Sequence, residues 1–159
     1  MTSSDPGLAL LPHAVATLAY RAGKAVRGAP LEFADFAGAA SAAGRTPIQI
    51  LAHMGDLFDW ALALADGHPQ WHNSAPLPWD REVARFFAAL AAFDRRLATG
   101  ARLEHPAEHL FQGPIADALT HTGQFAMLRR MAGCPMKARI TSRRTSRPAS
   151  WGSNNPLRA

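Results

Sequence analysis

The sequence predicts an all-α protein, a four-helix bundle with short connecting helices. Two observations carry that expectation. Of the 159 residues 48% are hydrophobic, with Ala and Leu prominent and β-branched residues few, a balance that favours helix over sheet. Four long stretches space their apolar residues as one face of a helix, and no stretch alternates with the period of a strand. The length suits one domain with a real core, and no internal repeat divides it.

The first helix is expected from about Leu8 to Val26, with Leu11, Val15, Leu18 and Ala22 on one stripe. Pro12 should lie in its first turn or displace its start. A short element over Leu31 to Ala43 carries Phe33 and Phe36 and reads as a packed connector. The second helix has a clear beginning, with Thr46 as N-cap and Pro47 at the first helical position, where a missing N–H costs nothing. It runs to about Asp66 and is ended by Gly67 and Pro69. Its stripe of Ile50, His53, Leu57, Trp60 and Leu64 lies beside Leu51, Met54, Phe58, Ala61 and Ala65, so His53 points from a largely apolar face.

Gly67 to Pro78, rich in Pro, Asn, His and Trp, reads as a loop. The third helix, Trp79 to Thr99, is expected to bury Val83, Phe86, Phe87, Leu90, Phe93 and Leu97. It should turn Arg81, Glu82, Arg85, Asp94, Arg95 and Arg96 to the opposite face, and Gly100 closes it. His105 to Phe111 is a short helical lead with Pro106 at its start. The fourth helix is expected between Gly113 as N-cap, with Pro114 at the first position, and Gly133, which can take the left-handed conformation that closes a helix. Arg129 and Arg130 suit the negative end of that helix. Ile115, Leu119, Phe125 and Met131 fill its apolar positions.

The formal net charge is +5, but its location argues against a nucleic-acid domain. Six of the 17 basic residues (Lys137, Arg139, Arg143, Arg144, Arg147 and Arg158) follow Met136 with no acidic residue among them, which leaves 11 basic against 12 acidic, a net −1 for the body. Clustered Arg without interleaved aromatics gives only sequence-independent attraction to nucleic acid, the lowest-ranked partner here. No apolar run approaches the ~18 residues of a membrane span, and the N-terminus lacks a charged-then-apolar signal pattern. The single cysteine, Cys134, excludes an internal disulfide framework and a Cys-based zinc site. A cytoplasmic setting is expected.

The chemistry concentrates on three residues. Asp117 and His121 are four apart, so they project from one face of the fourth helix, with Gln124 and Leu128 continuing the stripe. His53 alone reads as a satisfied core histidine, and an Asp–His pair at this spacing as a local hydrogen bond. Together, two imidazoles and one carboxylate on neighbouring core helices supply the ligand types of a facial metal site with open positions. The other histidines are weaker candidates. His68 and His72 flank a loop broken by Pro69, His105 and His109 flank a short turn, and His13 has no obvious partner.

The segments Arg45-Thr46-Pro47, Leu51-Ala52-His53-Met54-Gly55-Asp56-Leu57-Phe58-Asp59-Trp60 and Asp117-Ala118-Leu119-Thr120-His121-Thr122-Gly123-Gln124 resemble the two signature helices of the DinB/YfiT-like metalloenzymes, the damage-inducible DinB superfamily. The resemblance covers about Leu8 to Gly133, and His121 to Gln124 is its most specific part, followed by His53. It implies a four-helix bundle holding a divalent metal (Zn, Ni, Fe or Mn), commonly through one His on the second helix and a His-x-x-x-His pair on the last. It implies a metal-dependent hydrolase or thiol S-transferase, using a metal-activated water or a low-molecular-weight thiol or other small molecule. Dimers are common for such bundles. The alternative is a non-catalytic, metal-binding or stress-related interaction bundle. Asp117 stands where the family pattern has a first His. A carboxylate there lowers the positive charge of the site and makes a bound water or thiol less acidic. Its other role is to accept a hydrogen bond from a ligand imidazole.

The composition divides the chain into a bundle over residues 1–136 and a basic tail over 137–159. Beyond Ala138 only Ile140, Trp151 and Leu157 are large and apolar, too little to offset chain ordering, so the tail is expected to be disordered. A shift of reading frame near Cys134 to Ala138 and a genuine basic tail both account for the abrupt change. On either account, removing residues 138–159 should leave metal binding unchanged, as elemental analysis of the truncated chain would show. Translating the coding DNA in its other two frames separates the two.

Overall fold

Helix α1 (Pro6–Val26) begins the computed structural model, which describes residues 6–38 and 44–136. The tail expected over 137–159, and the end of the connector expected to reach Ala43, lie outside the described residues. Beyond α1, the long helices are α2 (Pro47–Ala65), α3 (Trp79–Ala98) and α5 (Ala116–Met131), with a single turn, α4 (Ala107–Leu110), leading into the last. There is no strand among the described residues, and the protein is all-α. No described helix is long and apolar enough to cross a membrane.

The four long helices close a ring in which α1 packs on α3, α3 on α2, α2 on α5, and α5 back on α1. Inside it the stripes meet: Leu11, Val15 and Leu18 from α1, Leu51, Met54 and Phe58 from α2, Phe86, Leu90 and Phe93 from α3, and Phe125 from α5. Phe58 meets Phe86 and Phe93 with ring centroids 6.1 and 5.9 Å apart. A 3₁₀ turn, Leu31–Asp35, inserts Phe33 between Trp79 and Phe125 at 5.9 and 6.0 Å, so the connector closes one end of the core.

The helix ends follow local chemistry. Gln49 Oε1 accepts the Thr46 backbone N–H at 2.9 Å, and Pro47 follows at the first helical position. Gly67, Gly100 and Gly133 each take a positive φ at the close of a long helix, a conformation that costs glycine little. α1 begins earlier than its stripe predicts, so Pro12 lies a turn inside it, on the exposed side. A missing N–H there leaves only a solvent-side carbonyl to be satisfied by water. Met131 is exposed rather than in the core.

The expected start of the last helix is corrected. Gly113 is no N-cap, because the chain is already helical from Ala107, and a π-helical turn, Phe111–Ile115, joins α4 to α5. Pro114 lies buried inside that turn. A proline ring in a regular α-helix clashes with the carbonyl four residues back, and the wider π-turn relieves the conflict. Gly113 is small for another reason, since a Cβ there would lie 3.3 Å from the Trp60 ring.

The charged face assigned to α3 is the second correction. Glu82 is fully buried and Arg85 largely so. Arg85 Nε donates to Glu82 Oε1 at 2.6 Å, its Nη1 to Asp56 Oδ1 at 3.0 Å and to Asp59 Oδ2 at 3.3 Å, and its Nη2 to the Ala52 carbonyl at 2.6 Å. Burial opposes the Arg85 charge, but the hydrogen bonds it donates to Glu82 and Asp56 raise its pKa above the usual value. A guanidinium can saturate this many acceptors, which is what makes burying the carboxylates of Asp56 and Glu82 beside it tolerable, while Asp59 reaches it from an exposed position.

Arg129 lies in the last turn of α5, as expected, and reaches further. Rather than serving only its own helix, its guanidinium donates to the carbonyls of Ala25, Arg27 and Gly28 at 2.9, 2.9 and 3.1 Å, the open end of α1, and Nε donates to the Cys134 carbonyl. Arg96 does the same for α2, donating to the Ala65 carbonyl at 3.1 Å. The last carbonyls of a helix lack internal partners and carry its negative dipole end, so an arginine from a neighbouring helix both caps and clamps.

Gly55 sits mid-helix, where glycine costs roughly 1 kcal/mol against alanine. The reason is Arg85, whose guanidinium carbon would lie 2.7 Å from a Cβ at position 55. Gly55→Ala should therefore destabilise the fold by about 2 kcal/mol, through displacement of Arg85 from its buried carboxylates. Propensity alone predicts a gain, so a higher urea midpoint for Gly55→Ala would show that Arg85 is not held as described.

Candidate metal centre

His53 is carried by α2 and Asp117 and His121 by α5, at the contact between those two helices. One ligand atom from each lies within 4.8 Å of the others, and among the described residues this is the one group of three His, Cys, Asp or Glu side chains so placed. His53 Nε2 is 3.3 Å from Asp117 Oδ2, and His121 Nε2 is 3.5 Å from Asp117 Oδ1. The two imidazoles meet edge to face with centroids 4.9 Å apart.

The helical spacing explains half of this arrangement. Residues four apart stack on one face, which sets Asp117 beside His121. The π-turn ahead of Ala116 sets the rotation at which that face meets α2.

The hydrogen bonds select the ring nitrogens. His121 Nδ1 is 2.9 Å from Gln124 Oε1, an oxygen that can only accept, so this contact suits the tautomer with its proton on Nδ1, in which Nε2, on the Asp117 side, is the nitrogen with the lone pair. Burial, reinforced by the Arg45 charge and opposed by the bond to Asp117, pushes the His53 pKa below the ordinary imidazole value. A neutral ring retains the lone pair that ligation needs.

The side chains of His53 and His121 are largely covered, whereas Asp117 is 45% exposed. Asp117 opens onto a cleft of about 460 Å³ walled by Leu57, Trp60 and the π-turn. On the other side, His53 borders a pocket of about 280 Å³ that also touches Arg45, Gln49 and the loop after α2. That loop lays Trp71 edge-on against both His53 and Trp60, at 5.5 and 5.8 Å. It is tied down where the Ser74 N–H reaches Asp56 Oδ2 at 2.9 Å and the Leu77 N–H reaches Glu82 Oε2 at 2.7 Å.

All three residues expected at the site from the sequence are thus brought together, and the weaker histidines His13, His68, His72, His105 and His109 join no such group among the described residues. Sequence reasoning missed the loop anchors Asp56 and Glu82, whose only signal was a pair of acids near a helical Arg. Comparison with protein-family models, with curated proteins and with solved structures finds no match to this chain.

Proposed function

We propose that the chain is a metal-binding bundle of the DinB/YfiT type, in which His53, Asp117 and His121 hold a divalent ion that activates a water or a small-molecule thiol for hydrolysis or group transfer. The observation that carries this reading is the position of Asp117 between the Nε2 atoms of both histidines, with all three ligand atoms inside 4.8 Å. A carboxylate that merely oriented a ligand imidazole would sit on the nitrogen facing away from the ion. Here the outward nitrogen of His121 is taken by Gln124 instead. Donors 2.0–2.2 Å from one ion are separated by about 3.4 Å in tetrahedral geometry, close to the two Asp117 separations. Zinc, nickel, iron and manganese all accept this donor set.

Bound there, the ion would supply Lewis acidity at a position the protein leaves open. The residues do the rest. His53 and His121 would offer imidazole nitrogens, and Asp117 a charge that moderates the acidity of whatever binds. The half-exposed Asp117 and its cleft favour access over a sealed structural site, and so favour catalysis over the non-catalytic alternative.

Protein purified without a His tag should contain close to one equivalent of a divalent metal by elemental analysis. His121→Ala should lose it while keeping its helical circular dichroism, since the core rests on the aromatic and aliphatic stripes. Full metal occupancy in His121→Ala would remove this ligand from the assignment.

Gln124→Leu leaves the three donors in place and removes the acceptor that fixes the His121 tautomer. Metal affinity measured by competition with a chromophoric chelator should fall about 10- to 100-fold. An unchanged affinity would mean that Gln124 does not orient the ring.

A further inference from the structure

Beside Ala52, His53, Asp56 and Pro76, the pocket next to His53 is lined by four side chains that can donate hydrogen bonds, Arg45, Gln49, Asn73 and Ser74. Arg45 stands exposed at its edge, and its guanidinium makes no hydrogen bond or ion pair among the described residues. It differs in this from Arg85, Arg96 and Arg129, all saturated by carboxylates or carbonyls. Two amide side chains line the same pocket, and in each the oxygen is already engaged. Gln49 Oε1 accepts the Thr46 N–H at 2.9 Å, and Asn73 Oδ1 accepts the Trp71 indole N–H at 3.1 Å. What each has left to offer is its NH₂ group. The Ser74 hydroxyl adds a further donor. The one acid on the lining, Asp56, is neutralised by Arg85 at 3.0 Å and accepts the Ser74 N–H at 2.9 Å.

A concave site that offers one unpaired cation, two amide NH₂ groups and a hydroxyl, and whose one acid is already paired, favours a ligand rich in acceptors. We propose that the pocket between Arg45, Gln49, Asn73 and Ser74 binds the carboxylate of a small organic acid, and that this group is the handle by which the substrate of the adjacent centre is held. The handle rests on the metal-centre reading above, because His53 belongs to both sites; the anion site does not. A carboxylate fits better than a phosphate. The planar guanidinium presents two parallel N–H groups to two coplanar oxygens, and one unpaired positive charge balances one negative charge. A dianion would bring a second negative charge toward Asp56.

The test follows the side-chain NH₂ resonances of Gln49 and Asn73 in the full-length, ¹⁵N-labelled chain, treated with chelator and titrated at constant ionic strength with sodium acetate or inorganic phosphate. Acetate should shift both amides saturably. Arg45→Met, at an exposed position, should weaken acetate about tenfold or more, and Arg45→Lys should fall between, keeping the charge without the fork. Absence of saturable shifts, or equal acetate affinity in Arg45→Met, overturns the anion site. Tighter binding of phosphate than acetate overturns the carboxylate assignment. Zinc is then titrated into the same sample. Acetate binding without zinc binding upholds the anion site and sinks both the handle and the metal reading. Zinc binding without acetate binding sinks the present proposal alone.

Discussion

Arg85 is the side chain on which the site depends most, though it touches none of the three candidate ligands. Its guanidinium binds the Ala52 carbonyl and the Asp56 carboxylate, the residues bracketing His53 on α2. Through Asp56 and Glu82 it also fixes the loop that carries Trp71, because Ser74 and Leu77 hang from the free oxygens of those two acids. One buried cation therefore sets the position of a helix, the packing of its neighbour and the cover over an imidazole. The arrangement holds because the oxygens of Asp56 and Glu82 that Arg85 leaves free each find a backbone N–H, so neither buried carboxylate stands alone. Among the described residues no buried side-chain N or O lacks a partner.

The cluster also explains why a helix-breaking composition can form a precise wall. The loop from Gly67 to Pro78 has few apolar residues to bury, and its order comes from two backbone anchors and the aromatic contacts of Trp71. The donor-lined pocket is a by-product of the same anchoring, since Asn73 and Ser74 face Arg45 only because Asp56 holds the loop there. Asp59, at the exposed edge of the cluster, has its pKa raised by partial desolvation against the pull of Arg85.

Much of the fold was legible because helices announce themselves in apolar spacing and in their ends. Thr46-Pro47, Gly67, Gly100 and Gly133 mark boundaries the structure reproduces within a residue or two. The convergence of His53, Asp117 and His121 was legible for the same reason: each stood on a core-facing stripe where an unexplained polar group is expensive. Glu82 and Arg85 were not, because charges at helical spacing look the same whether they face water or each other, and only α2 lying against α3 tells them apart. Gly113-Pro114 misled because the pair that begins many helices also fits a π-turn inside one. The destination of Arg129 was hidden because its acceptors lie about a hundred residues away, at the end of α1.

Gly55 and Arg85 occupy the same space from opposite sides. Neither position is free to drift on its own: a larger residue at 55 is admissible only once 85 has shortened, and a shortened 85 leaves Asp56, Glu82 and the loop above them without their common counter-ion. A chain of this design passes from one solution to another only by changing two helices and a loop together, so the pair acts as a ratchet on how the molecule can diverge.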